Sequence, residues 1–257
     1  MRSRFTTLTL PVRRAARSLA NKFGYDFYRI KFDTPSGRPL YEPLRPTATY
    51  SPWNDDPEFL ETYDVISRST LVDKYRCYDL WSLVGQSSKL EGSLIEIGVW
   101  RGGTGTLIAR KSLLCGIDAP VYLCDTFRGV VKASAQDSVY NGGEHADTSR
   151  ERVESLLAKM SCDNAVILEG IFPDDTGEQV ESGTFRFCHI DVDVYESARD
   201  IVEWIWDKMV VGGIVVFDDY GTEGCDGVTK FVNEQSSMPG RFMTYNLNGH
   251  AVLIKTG

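Results

Sequence analysis

Two pairs of carboxylates in the sequence call for a chemical explanation. Asp191 and Asp193 stand two residues apart in "FCHIDVDVY" (187–195), and Asp218 and Asp219 are adjacent in "IVVFDDY". Each pair closes an apolar run, although aspartate forms strands poorly and is costly to bury. If the two runs are neighbouring strands, about 4.8 Å apart, up to four carboxylates meet at one edge of a sheet. Like charges that close raise one another's pKa, and a divalent cation compensates them. The set offers oxygen donors without a His or Cys pair, which suits Mg²⁺ or a similar hard ion better than zinc. Either pair alone is also compatible with a solvated strand end or a helix cap, Asp193 being placed to cap a helix that starts at Tyr195 or Glu196.

A second stretch with chemical potential is "LIEIGVWRGGTGT" (94–106), an apolar run entering a glycine-rich turn and then a helical pattern. Glycines there let backbone approach a ligand, and the helix start offers free N–H groups. The spacing is neither the dinucleotide G-x-G-x-x-G nor a P-loop. In "VYLCDTF", Asp125 falls at the tip of the next apolar run, where a carboxylate can accept both hydroxyls of a ribose. Loop and acid together imply an adenosine-type cofactor without phosphates, and S-adenosylmethionine fits.

These residues need a frame. Short, nearly continuous apolar runs at 93–99, 121–124, 165–168, 185–190 and 214–217 read as parallel strands covered on both faces. Helical patterns at 69–84, 104–114, 148–160, 196–209 and 227–235 alternate with them. The alternation predicts a doubly wound α/β sheet. "RFMTYNLNGHAVLIKTG" adds a C-terminal antiparallel hairpin around Asn-Leu-Asn-Gly. The expected fold is therefore five parallel strands plus that hairpin, with an N-terminal extension.

Composition narrows the class. The chain has 257 residues, 42% hydrophobic and 25% charged, which suits one soluble α/β domain with extensions. Its net charge is −8 although residues 1–24 hold six basic residues and no acid, so the body is more acidic still and unsuited to nucleic-acid phosphates. No apolar run is long enough for stable membrane insertion. The basic segment lacks the apolar core of a secretory signal; it reads as an arm on the acidic body or on a partner subunit, with a transit peptide or a membrane-surface helix as alternatives. Six cysteines without a CxxC pair read as buried thiols in a reducing compartment, and cytoplasmic localisation is expected.

Taken in order, "LIEIGVWRGG", "LCDTF", "HIDVDVYES" and "GGIVVFDDYG" resemble the macrocin O-methyltransferase family, metal-dependent sugar O-methyltransferases of antibiotic biosynthesis, from about Ser69 to the C-terminus. The resemblance implies a class I methyltransferase fold, S-adenosylmethionine as methyl donor, Mg²⁺, and a small glycosylated acceptor. It places Glu96, Gly98, Gly102, Gly103 and Thr104 around the cofactor's methionine side, Asp125 on the ribose, and Thr126, Phe127 and Phe172 beside the adenosine. It implies Asp191, Asp218 and Asp219 as metal ligands and Asp193 as general base. Two stretches depart from the family pattern: "GCDGVTKF" after the fifth run, and the segment between Arg128 and Thr148. Both could border the acceptor, so its identity is the open point; a catechol presents the same adjacent hydroxyls as a sugar diol.

His145, in a glycine-rich stretch, is the rival base, since a loop over the ligand edge could carry an imidazole to the acceptor. His189 reads as a hydrogen-bonded sheet residue and His250 as structural or exposed. Residues 1–68 are expected to form an irregular arm with one short helix, whose Tyr41, Tyr50, Trp53 and Phe59 act as a lid or a subunit contact; 69–257 form the catalytic domain, and a homo-oligomer is expected. Two other enzyme classes share part of the pattern. A D-x-D glycosyltransferase would not need Asp218–Asp219 or the glycine turn, and an NAD-dependent oxidoreductase would not need the acid cluster.

Overall fold

The computed structural model describes residues 10–23, 25, 41–42, 44, 49–180 and 183–257. The chain divides into two compact units, Met1–Thr47 and Ala48–Gly257. In the first, helix α1 (Leu10–Lys22) carries the basic residues Arg13, Arg14, Arg17 and Lys22 with no acid in its first turn. Residues 1–9 and 24 of the basic segment lie outside the described residues. No helix among the described residues is long and apolar enough to cross a membrane.

The second unit is an α/β sandwich around one sheet. Its strands are β1 (Ser93–Ile97), β2 (Val121–Asp125), β3 (Ala165–Glu169), β4 (Phe185–Ile190), β5 (Met209–Phe217), β6 (Arg241–Tyr245) and β7 (Ala251–Lys255), in the order β3-β2-β1-β4-β5-β7-β6. The first five are parallel, and the terminal hairpin joins antiparallel through β7 on β5. The strand period of two supplies both cores. Leu94, Val121 and Leu123 face one, with α2 (Pro57–Ile66), α3 (Lys74–Ser87), α4 (Gly103–Leu114) and α5 (Arg150–Lys159). Ile95, Tyr122 and Cys124 face the other, with α6 (Tyr195–Ile205) and α7 (Asp226–Gln235). Each fully buried Phe or Leu contributes about 1.5–3 kcal/mol relative to exposure, so this two-sided cover holds the sheet edge in place.

The boundaries differ from the expected ones in three places. First, the compact body begins near residue 48, not 69. Phe59 and Ile66 of α2 are fully buried against Trp81 and the α4 residues, so this stretch of the expected arm is core, and Phe59 is no lid residue. Trp53 packs on Tyr75 and Tyr78, while Tyr50 is exposed. Second, α3 starts at Lys74, because Asp73 caps it by accepting from the N–H groups of Tyr75 and Arg76; Ser69–Thr70 forms a separate turn in which Thr70 Oγ1 accepts from Val72 N at 3.0 Å. Third, the helix expected to reach Met209 gives way to a 3-10 turn at Trp206–Lys208, and β5 begins at Met209.

Candidate active site

Register alone brings the chemical residues together. Asp191 N donates to Ile97 O (2.9 Å), Asp218 N to Ile190 O (3.1 Å) and Gly98 N to Cys124 O (3.0 Å), so the carboxyl ends of β2, β1, β4 and β5 set Asp125, Gly98, Asp191 and Asp218 in one row. One cavity opens over this row. Gly98, Thr104, Asp125, Thr126, Phe172, Asp191, Asp193, Asp218, Asp219 and His145 all line it. Glu96, Gly102, Gly103 and Phe127 are not among its lining residues.

The glycine half is built by backbone. Gly98 adopts φ 91, and a Cβ there would stand 1.7 Å from the Asp191 carbonyl oxygen, so only glycine fits. Gly102, at φ 85, precedes α4, and Gly103 N donates to Ser69 O at 3.0 Å, so these two glycines shape the turn behind the cavity wall. Asp125 holds the loop: Oδ2 accepts from Val99 N and Trp100 N, both at 2.7 Å, and Oδ1 from Phe127 N at 2.6 Å. That last bond turns the Phe127 ring toward the core rather than the cavity. Phe172 is buried edge-on against Trp204 at 4.8 Å. Glu96 is fully buried beneath the cleft, where Oε1 meets His189 Nδ1 at 2.8 Å; its carboxylate supports the floor instead of facing a ligand.

The acid half is built by charge. One oxygen each of Asp191, Asp218 and Asp219 lie within 4.8 Å of one another. Burial, then neighbouring carboxylates, hold the Asp191 and Asp219 carboxyls well above the usual range. Asp218 is the opposite case. Burial would raise it, but His189, His250 and Arg76 around it hold it well below the usual range. Arg76 pairs with Asp218 Oδ2, and its Nε with Asp73 Oδ2 at 2.9 Å. His250 is buried, as a structural residue would be, but its Nε2 meets Asp218 Oδ1 at 2.9 Å. His189 Nε2 stands 3.9 Å from the same oxygen, too far for a hydrogen bond. The two flanking carboxylates still outweigh burial and push the His189 pKa up to about 9.

Asp193 does not cap α6. The α6 cap residue, Val194, makes no side-chain cap bond, and Tyr195 N instead donates to Asp137 Oδ1 at 2.9 Å from the segment after β2. With φ 65, Asp193 is turned so that its side chain lines the cavity. Burial raises its carboxyl pKa, while a hydrogen bond from Tyr140 and the nearness of His145 oppose that rise. Tyr140 OH lies 3.5 Å from His145 Nε2, so the two rival bases flank one phenol. The segment 128–148, which departs from the family pattern, thus roofs the cavity with Val130, Val131, Tyr140 and His145. Its far end is tied to the glycine turn, since Trp100 Nε1 donates to Asp147 Oδ1 at 2.8 Å and Arg101 pairs with the same carboxylate.

Sequence reasoning missed Arg76, Tyr140 and the role of His250. Arg76 sits on an exposed-looking helical turn, and its only signal is the Asp73 and Asp79 charges three residues to either side. Tyr140 and His250 reach the acids across 53 and 32 residues of sequence, and no local pattern announces such contacts.

A mostly parallel sheet with a C-terminal antiparallel pair, carrying its ligand cleft at the carboxyl edge, is the class I methyltransferase fold. The chain belongs to the macrocin-O-methyltransferase (TylF) family, whose model matches residues 61–242. It is 29% identical over 144 residues to the 8-demethyl-8-(2,3-dimethoxy-alpha-L-rhamnosyl)-tetracenomycin-C 4'-O-methyltransferase of Streptomyces olivaceus, a match covering 52% of this chain and 55% of that protein. It is 27% identical over 145 residues to the demethyldecarbamoylnovobiocin O-methyltransferase of Streptomyces niveus, covering 52% and 54%. The chain thus spans about half the length of the curated relatives it matches. Among solved structures, the O-methyltransferase NovP superposes with a TM-score of 0.64 at 24% identity, over 74% of this chain and 83% of that one. The calicheamicin methyltransferase CalS11 superposes with 0.60 at 16% identity, over 80% and 94%. Membership of this family sets aside the glycosyltransferase and oxidoreductase readings.

Proposed function

We propose that the protein is an S-adenosylmethionine-dependent O-methyltransferase that methylates one hydroxyl of a vicinal diol on the sugar of a small glycosylated natural product. The observation that carries this is the single row of Asp125, Gly98, Asp191 and Asp218 along one cavity, which joins an end shaped by the glycine turn to a cluster of acids. The names of the two curated relatives point to sugar-bearing antibiotics as acceptors.

The residues fit both the methyl donor and the cation. Gly98 lets the chain pass the Asp191 carbonyl at the cavity edge, where any side chain would collide, and with Thr104, Asp125, Thr126 and Phe172 it lines the cavity, so these would hold S-adenosylmethionine, which supplies the electrophilic methyl group when bound. Asp191, Asp218 and Asp219 form an all-oxygen set with excess negative charge and would hold Mg²⁺, which when bound lowers the pKa of a nearby sugar hydroxyl. Asp193 would accept the proton of the acceptor hydroxyl as that oxygen takes the methyl group from the bound donor, which would leave as S-adenosylhomocysteine. Tyr140 lies beside the Asp193 carboxyl, with its hydroxyl 3.5 Å from His145 Nε2.

We also propose a cytoplasmic setting, supported by six free thiols, and a homo-oligomer in which the N-terminal arm serves as a lid or subunit contact. The functional test is methyl transfer from S-adenosylmethionine to glycosides carrying a rhamnose-type vicinal diol, read by mass spectrometry with Mg²⁺ and with chelator. A singly methylated sugar formed only with metal is the expected result. Methylation of a catechol but of no sugar would move the acceptor class.

A further inference from the structure

Asp218 is anchored from two sides, by Arg76, which lines the cleft, and by His250, which does not. Asn246 closes the β6–β7 turn: its N donates to His250 O at 3.0 Å, and its Oδ1 accepts from Asn248 N at 2.8 Å and His250 N at 3.2 Å. The turn fixes the register in which Ala251 opposes Phe217 across β5 and β7, so His250, one residue earlier, faces Asp218, one residue later. The imidazole is fully buried between two carboxylates, with Nδ1 2.8 Å from Asp79 Oδ2 and Nε2 2.9 Å from Asp218 Oδ1. Asn246 Nδ2 also donates to Asp79 Oδ2 at 2.6 Å, which ties turn, helix and strand into one chain of bonds. One helical turn before Asp79, Arg76 takes the other oxygen, Oδ2, of Asp218.

We infer that His250, anchored by Asp79, is a positioning residue that sets the orientation of the Asp218 carboxylate and thereby the cation affinity of the acid cluster. This rests on the reading of Asp191, Asp218 and Asp219 as a cation site. With both oxygens engaged from two directions, the carboxylate plane cannot rotate away from the like charges of Asp191 and Asp219, and each oxygen keeps a second lone pair for a cation. Among metal sites, carboxylate–histidine pairs behind a ligand hold it in place, and losing one typically costs about 10–100-fold in affinity. Here the pair stands behind an aspartate ligand.

The test uses the full-length protein and Mn²⁺ alone, with the free aquo ion followed by electron paramagnetic resonance. His250→Ala should weaken Mn²⁺ binding about 10–100-fold, and His250→Gln, which keeps an amide N–H for Asp218, should recover most of that loss. Asp79→Asn, at a more exposed position, should act in the same direction as His250→Ala but less, and it decides the matter if His250→Ala does not fold. S-adenosylhomocysteine affinity and Tm, measured on the same samples, should move little in His250→Gln and Asp79→Asn. Wild-type Mn²⁺ affinity in the variants would overturn the positioning role alone. Parallel losses of Mn²⁺ binding, S-adenosylhomocysteine binding and Tm would reduce His250 to a structural residue. A wild-type protein that binds no Mn²⁺ would overturn the cation site, and this role with it.

Discussion

The two ends of the cleft are built on opposite principles. At the glycine end the shape is set by backbone: one carboxylate, Asp125, accepts three main-chain N–H groups, and Gly98 lets the chain pass the Asp191 carbonyl where a side chain would collide. At the acid end, Asp191, Asp193 and Asp219 crowd together with carboxyls held above their ordinary values, while His189, His250 and Arg76 hold Asp218 below its own. On the proposed function, the first end selects by shape, and the second, with its excess of negative charge, is where a cation and a proton transfer would act. Binding and chemistry are thereby separable, and substitutions should separate them.

The largest effect falls on the acid end. Asp193→Asn should lower kcat by about 10²–10⁴ while leaving S-adenosylhomocysteine affinity close to wild type. His145→Gln should cost less; if it costs more, the imidazole is the base and Tyr140 connects it to Asp193 in the reverse sense. Next, Gly98→Ala should strike the other end. The left-handed φ alone costs on the order of 1–3 kcal/mol, and the Cβ collision with the Asp191 carbonyl adds to it, so both Tm and cofactor binding fall.

A smaller effect has the opposite sign. Asp219→Asn removes one of the crowded charges, so the chelated protein should gain stability, by roughly 2–4 °C in Tm for each kcal/mol of repulsion relieved, even as metal-dependent transfer is lost. The same repulsion has a pH signature. A carboxyl whose folded pKa is raised binds protons more readily in the folded state than in the unfolded chain, so chelated wild type should lose stability as pH rises from about 4 toward neutrality. Asp219→Asn should flatten that slope, and thermal melts in chelator across this range check it. The smallest effect concerns two thiols. Cys124 lines the glycine end and Cys225 the acid end, and burial pushes both pKa values up. At pH 8 neither should be alkylated before the half-buried Cys115, and labelling of Cys225 ahead of Cys124 would show that the acid end opens first.

Much of this division was legible in the residues. The apolar runs gave the five parallel strands and the hairpin, and Asp191 and Asp218 at the ends of two runs expected to be neighbouring strands implied their meeting. The start of β5 was not legible: Met209 to Gly213 reads as the end of a helix followed by a glycine turn, and only the irregular pairing of β4 with β5, together with Gly212 at φ 86, turns it into strand. Contacts that depend on distant segments were also hidden. Asp137 replaces Asp193 at the start of α6, His250 reaches Asp218 through a hairpin, and α2 joins the core through Phe59 and Ile66 although its sequence is rich in acids. Glu96 looked like a cofactor residue because it precedes the glycine turn, but the strand's alternation points it away from the cavity toward His189.

The most direct test of the separation is calorimetric titration of S-adenosylhomocysteine into the protein with Mg²⁺ and again with chelator, alongside methyl transfer to a vicinal-diol glycoside in the same samples. Similar affinity in both conditions, with transfer only in the presence of Mg²⁺, is the expected result. Cofactor binding that collapses in chelator, or transfer that continues in it, would contradict the division of the cleft into a shape-selecting end and a charge-driven one.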